Sequence, residues 1–156
     1  MRAVVQRVSQ ARVVIAGEQV AAIAEGLLIY LGVAPGDTPE VARHLAGRLA
    51  QLRIFPDPAG RMNRSVLDVG GEALVVSQFT LFADNRRGHR PSFISAAPPD
   101  VGRQLCRALA DQLRLLGIAP VQEGHFGSHM SVESANDGPV TIVASSHEEP
   151  WQADCG

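Results

Sequence analysis

Apolar positions along this 156-residue chain follow two periods, and the changes between them predict its elements. Runs rich in Val, Ile, Leu and Ala at 3–8, 11–16, 27–33, 73–81, 129–132 and 140–144 read as strands. β-Branched and aliphatic residues suit a pleated surface, and Gly-, Pro- or Asp-bearing turns separate the runs. Helical spacing appears twice. Thr38 is placed as an N-cap and Pro39 in the first turn of a helix that carries Val41, Leu45, Leu49 and Leu52 on one stripe. A second helix over about 99–116 turns Val101, Leu105, Leu109, Leu113 and Leu116 inward and stops at Gly117. Neither stripe carries facing acids or histidines, so both helices read as packing elements. Few helices and mostly hairpin-length connections predict an α+β class, with mostly antiparallel, barrel-like sheets and two packing helices.

Composition narrows the class. A hydrophobic fraction of 46% fits a globule with its own core, and the chain reads as one domain over 1–145 with a polar tail at 146–156. No apolar stretch approaches the roughly 20 residues of a spanning helix, and the start, Met1 to Val8, lacks a signal-peptide pattern, so a cytoplasmic protein is expected. Cys106 and Cys155 form neither a disulfide framework nor a metal spacing. Every basic residue is arginine, which excludes a P-loop lysine, a Schiff-base lysine and a lysine general base. The net charge of −2 argues against a broad phosphate-coating surface. Nucleic-acid contact is therefore expected to be local, and the densest positive group is Arg86-Arg87-Gly88-His89-Arg90.

Two segments break the strand pattern with chemistry. Ser77-Gln78-Phe79-Thr80-Leu81 closes the aliphatic run Ala73-Leu74-Val75-Val76, and its polar groups need partners, because an unpaired buried one costs roughly 1–3 kcal/mol. Asn136-Asp137-Gly138-Pro139-Val140-Thr141 places a Gly-Pro step before an apolar run, which reads as a strand entrance or turn with free carbonyls. Other assignments have less behind them. Ser77 is not in a nucleophile elbow, although His89, His125 or His129 can approach it in space. Thr80 as nucleophile stands against a plain strand hydroxyl. His125 and His129 have helical metal spacing, but Phe126-Gly127-Ser128 breaks a helix and no third ligand is near. No metal or cofactor is expected, and Asp137 is expected to form a turn with its own backbone.

The two segments resemble the paired motifs of the D-aminoacyl-tRNA deacylase family in wording and order. The resemblance extends to Gln6-Arg7-Val8, Arg53-Ile54-Phe55 with Met62-Asn63, Arg90-Pro91-Ser92-Phe93, and Phe126-Gly127 followed by Met130, covering about residues 1–145. It implies that family's fold and hydrolysis of the ester joining a D-amino acid to the terminal adenosine of tRNA, a proofreading step in translation. It implies that Ser77, Gln78, Phe79 and Thr80 hold the ester and ribose, with the Phe79 backbone N–H as oxyanion donor and the substrate's own 2′-hydroxyl assisting. Phe126 and Met130 match positions that line the adenine pocket, where ordinary core packing is the plainer alternative. Gly138-Pro139 matches a selectivity filter with a cis bond, inserted from the other subunit of a homodimer, that rejects L side chains and admits glycyl-tRNA. His129, Ser134 and Ala135 depart from the family's usual residues and bear on the adenine pocket and the cross-subunit loop. Competing readings are a non-catalytic nucleic-acid-binding module and a small-ester hydrolase with a threonine nucleophile.

Overall fold

The computed structural model describes residues 1–86 and 88–146; Arg87 and residues 147–156, including Cys155 and nearly all of the expected tail, lie outside the described residues. One six-stranded sheet organises the molecule. Its strands are β1 (Arg2–Ile15), β2 (Glu18–Ile23), β3 (Gly26–Gly32), β6 (Glu72–Ser77), β7 (Val121–Glu123) and β8 (Ser131–Ser145). A two-stranded hairpin, β4 (Phe55–Pro56) and β5 (Met62–Arg64), lies apart. The helices are α1 (Pro39–Ala50), the short α2 (Val66–Val69) and α3 (Pro99–Leu115).

The sheet is mixed. β1 pairs antiparallel with β2, β3 and β8, whereas β3–β6 and β6–β7 are parallel. The expectation of mostly hairpin connections therefore fails on one half. Parallel neighbours require a crossover, and the segments carrying α1 and α3 supply the two that are needed. β3 and β6 are buried on both faces. Leu27, Ile29, Leu31, Ala73 and Val75 pack toward the helices, while Leu28, Leu74 and Val76 join Val8, Val13, Ala21 and Ile23 in a second cluster. β2 packs back against β6 and β7, so the sheet curls around that second cluster into a nearly closed barrel.

Packing rather than local propensity holds the helices. Thr38 Oγ1 accepts from the Val41 amide at 3.4 Å, a cap worth about 1 kcal/mol. Fully buried Leu45 and Leu49 contribute about 1.5–3 kcal/mol each, so the cap sets where α1 starts and the core keeps it there. On α3 the buried stripe is Gly102, Leu105, Cys106, Leu109, Ala110 and Leu113. Val101, expected inside, is exposed, because Gly102 takes the inward position of the first turn.

β1 and β8 each read as two strands in sequence and each is continuous. Their polar interruptions are β-bulges, with register shifts between Gln6 and Val8 and between Val8 and Gln10. At the first, Thr141 pairs with Gln6 and Asn136 with Val8, so Asp137 to Val140 bulge out opposite Arg7 alone. β8 pairs along one edge only, with β1, among the described residues.

Candidate active site

Strand β6 ends at Ser77, and the chain turns at Gln78 into a short 3-10 helix, Phe79–Phe82, where a continued strand is predicted. The turn fits because its neighbour is glycine. A Cβ on Gly32 would lie 3.0 Å from the Gln78 carbonyl oxygen and 3.1 Å from the Leu81 Cβ. The Gln78 amide donates to the Leu31 carbonyl at 2.8 Å, and Arg2 donates to the Leu81 carbonyl at 3.2 Å while its guanidinium covers the Phe82 ring at 5.0 Å. Gln78 provides no side-chain cap, and the Phe79 amide finds no acceptor among the described residues. A first-turn N–H without an acceptor is a ready donor for developing negative charge.

Ser77, Gln78 and Phe79 line a pocket of about 80 Å³ with Phe126, Gly127, Gly102 and Cys106. Phe126 is set by α3, since Gly102 leaves only 3.2 Å between its own missing Cβ and the Phe126 ring. Ser77 and Gln78 are half-buried, and Thr80 is exposed and accepts a hydrogen bond from Gln78 Nε2. The polar groups of this segment thus face a cavity rather than a closed core, and no buried side-chain N or O among the described residues lacks a partner. Met130 is elsewhere. It packs against Gly124 and the barrel cluster and is not among the residues lining this pocket.

Cys106 is the pocket residue that sequence reading left as helix packing. Burial first, and then Glu123, push its thiol up to about 12, so it stays protonated and is no nucleophile at neutral pH. No histidine lines the pocket among the described residues, and His125 and His129 are exposed. No group of three metal-ligating side chains occurs among them either. What the pocket offers is a hydroxyl, an amide side chain, an unclaimed backbone N–H and an aromatic wall. Such a set positions and polarises an ester but supplies no strong base.

The second segment forms the four-residue bulge of β8, and the Gly138–Pro139 peptide is cis. The bulge is closed from inside: the Val140 amide donates to Asn136 Oδ1 at 2.9 Å, and Asn136 Nδ2 donates to Thr141 Oγ1 at 3.0 Å. Gly138 has φ +131°, and a Cβ there would lie 2.8 Å from Val140 Cγ2 and 3.2 Å from the Arg7 guanidinium. Asp137 is not the turn former expected. Its carboxylate pairs with Arg7 at 3.0 Å, and Asn136 makes the local backbone bond instead. Arg7 also donates to the carbonyls of Asp137 (3.1 Å) and Ile54 (2.6 Å), tying the bulge to the segment Arg53-Ile54-Phe55. That segment is in turn tied to the hairpin through Arg53 and Asn63.

Within one chain the two segments do not meet. β8, β1, β3 and β6 lie side by side, which sets the segments three strand intervals, or about 14 Å, apart. Thr141 aligns through Gln6 and Leu28 with Leu74, three residues or about 10 Å short of Ser77 along the strand. Gly138 and Pro139 are both exposed. Ser134 and Ala135 line a different, larger cavity of about 400 Å³ between β1, β2 and β8, which none of the predicted site residues reaches.

In the arginine-rich loop, the Asp84–Ser92 backbone bridge closes the base and Asp84 holds Arg86 by two bonds of 2.9 and 2.8 Å. Those hydrogen bonds from Arg86 hold the Asp84 carboxyl down at about 2. Arg87 lies outside the described residues, and His89 and Arg90 are exposed.

Known proteins share this arrangement. A family profile described as D-Tyr-tRNA(Tyr) deacylase matches residues 4–145. A D-aminoacyl-tRNA deacylase from Roseiflexus sp. (strain RS-1) is 60% identical over 146 residues, covering 94% of each chain. One from Deinococcus deserti is 59% identical over 143 residues, covering 92% of this chain and 97% of its own. A solved structure described as a c-Myc DNA Unwinding Element Binding Protein superposes with a TM-score of 0.87 at 38% identity, over 93% of this chain and 98% of that one. A probable eukaryotic D-amino acid tRNA deacylase shares the fold, with a TM-score of 0.76 at 21% identity. With both motifs in place and nearly the whole length matched, the chain belongs to the D-Tyr-tRNA(Tyr) deacylase family.

Proposed function

We propose that this protein hydrolyses the ester of D-aminoacyl-tRNA, releasing free D-amino acid and tRNA, and so removes D-amino acids before they enter translation. The observation that carries this reading is the pocket in which Ser77, Gln78 and Phe79 meet Phe126 with no histidine, metal group or ionised thiol among the described residues. An activated ester needs little more than a placed water and a donor for the oxyanion. The Phe79 N–H serves as that donor, Gln78 and Ser77 place the ester and ribose, and Phe126 stacks on the adenine. The substrate's 2′-hydroxyl takes the place of a side-chain base. Met130 supports this wall indirectly, through Gly124.

Gly138-Pro139 acts as the chirality filter, and it does so in the pocket of a second subunit, because its own chain holds it far across the sheet from Ser77. The active unit is a homodimer in the cytoplasm, built from the single domain 1–145. A filter that rejects an L side chain by occupying its space has nothing to reject in glycine, so glycyl-tRNA is also cleared. No helix among the described residues is long and apolar enough to cross a membrane.

The likeness to a protein described as binding a DNA element favours a second reading, in which this surface binds nucleic acid without catalysis. One assay separates the two. D- and L-tyrosyl-tRNA are incubated in parallel with the protein, with and without a chelator. Loss of the D ester alone, at the same rate in both buffers, is expected; retention of both esters alongside tight RNA binding would establish the second reading.

A further inference from the structure

A second cavity, of about 140 Å³, opens beside the ester pocket and shares Ser77, Cys106 and Phe126 with it. Its other wall carries Arg103, Arg107 and Glu123. The charges on that wall are unequally satisfied. Glu123 accepts from Arg114 at 2.8 Å, so its carboxylate is already neutralised by a cation outside the cavity wall. Arg107 has only Asp111, at 3.9 Å, and that carboxylate is held at 2.7 Å by Arg114. Arg103 has no carboxylate within ion-pair distance among the described residues, and its guanidinium sits 5.4 Å over the Phe126 ring. Two guanidiniums, one helical turn apart, are thus left facing a polar cavity continuous with the place where the reaction occurs.

We propose that Arg103 and Arg107 bind the phosphodiester on the 5′ side of the substrate's terminal nucleotide. This rests on the reading that the ester pocket takes an aminoacylated RNA 3′ end. Residues at i and i+4 of a helix stand about 5–6 Å apart at Cβ, so both forks reach one phosphate from the same side. A terminal base against Phe126 carries its own 5′-phosphate within one nucleotide of Arg103, and Arg is suited to gripping phosphate oxygens in pairs. The loop at 84–92 is the weaker candidate for this role, since Arg86 is already clamped by Asp84. The pair therefore distinguishes an ester on RNA from the same ester on a bare nucleoside.

The test compares two substrates, D-tyrosyl-tRNA and 3′-O-D-tyrosyl-adenosine, which has no phosphate. Wild-type protein and the Arg103→Gln, Arg107→Gln double variant are assayed across a range of salt. The variant is expected to raise KM for the tRNA substrate about tenfold more than for the adenosine ester, with kcat for tRNA held. The slope of log kcat/KM against log salt for tRNA should become shallower by about 1.4, or about 0.7 for each arginine–phosphate pairing removed. An Arg103→Lys, Arg107→Lys variant should restore the slope, because it keeps the charges. Equal losses on both substrates would show that the arginines act only through Phe126 or the fold, and an unchanged salt slope would show that they touch no phosphate; either overturns the proposal. Wild-type protein that leaves both esters intact would instead remove the functional reading, and this proposal with it.

Discussion

Gln78 and Thr80 show how little side-chain chemistry the pocket contains. Thr80 Oγ1 is engaged by Gln78, exposed, and absent from the pocket lining, so a threonine nucleophile has no activating base near it. Thr80→Ala should keep measurable deacylation, with a loss of about tenfold or less from positioning; complete inactivation, with an acyl-enzyme trapped on the wild type, would establish the nucleophile instead. Cys106 gives a second residue-scale expectation. Its raised pKa means the folded chain keeps a proton that the unfolded chain loses near the ordinary thiol value of about 8.5. The group's contribution to stability is therefore full below that value and falls as pH rises from there toward about 12. In a Cys155→Ser background, a thiol reagent at pH 8 should leave Cys106 unlabelled until urea unfolds the chain. Rapid labelling of the folded protein would show the thiol to be accessible and ionised. The sequence announced Ser77 and Gln78 because polar groups at the end of an aliphatic strand stand out. Cys106 was not legible, because a small apolar residue on a helix stripe looks the same whether it meets core or cavity.

The elements were easiest to read where the pattern ran unbroken. Helix α1 begins at its capping threonine as predicted, since cap and stripe agree. β1 and β8 were each cut in two by polar residues that are bulges, and β7 is too short at three residues to carry a pattern. The parallel pairings were missed because strand order depends on the crossovers, and no residue pattern records them. One element-scale expectation concerns the contact between α3 and the pocket. Gly102→Ala removes a glycine from a helix interior, which favours α3 by about 1 kcal/mol. The new Cβ presses on Phe126 at 3.2 Å, so the ring must shift. Stability by urea unfolding should hold or rise while KM for D-tyrosyl-tRNA rises several-fold; an unchanged KM would detach Phe126 from substrate binding.

At the scale of the whole molecule, the separation of the two motifs across four strands makes a single chain an incomplete enzyme. Subunit mixing tests this. Gln78→Ala disables the pocket of its own chain, and Gly138→Ala strains the bulge that its chain lends away. A mixed dimer contains one undamaged pairing of pocket and bulge, so equal mixing should recover about a quarter of wild-type activity from two impaired variants. No recovery after proven subunit exchange would place both motifs in one chain's site. The bulge also has a consequence for β8 as a surface. Its outer edge offers unpaired N–H and C=O groups along a strand of 15 residues, the kind of template on which chains add one after another into open-ended stacks. Four residues thrown out opposite Arg7 break that template into two short lengths, too brief for a stranger's strand to grip. The kink that presents Gly138-Pro139 to a partner also keeps this edge from polymerising.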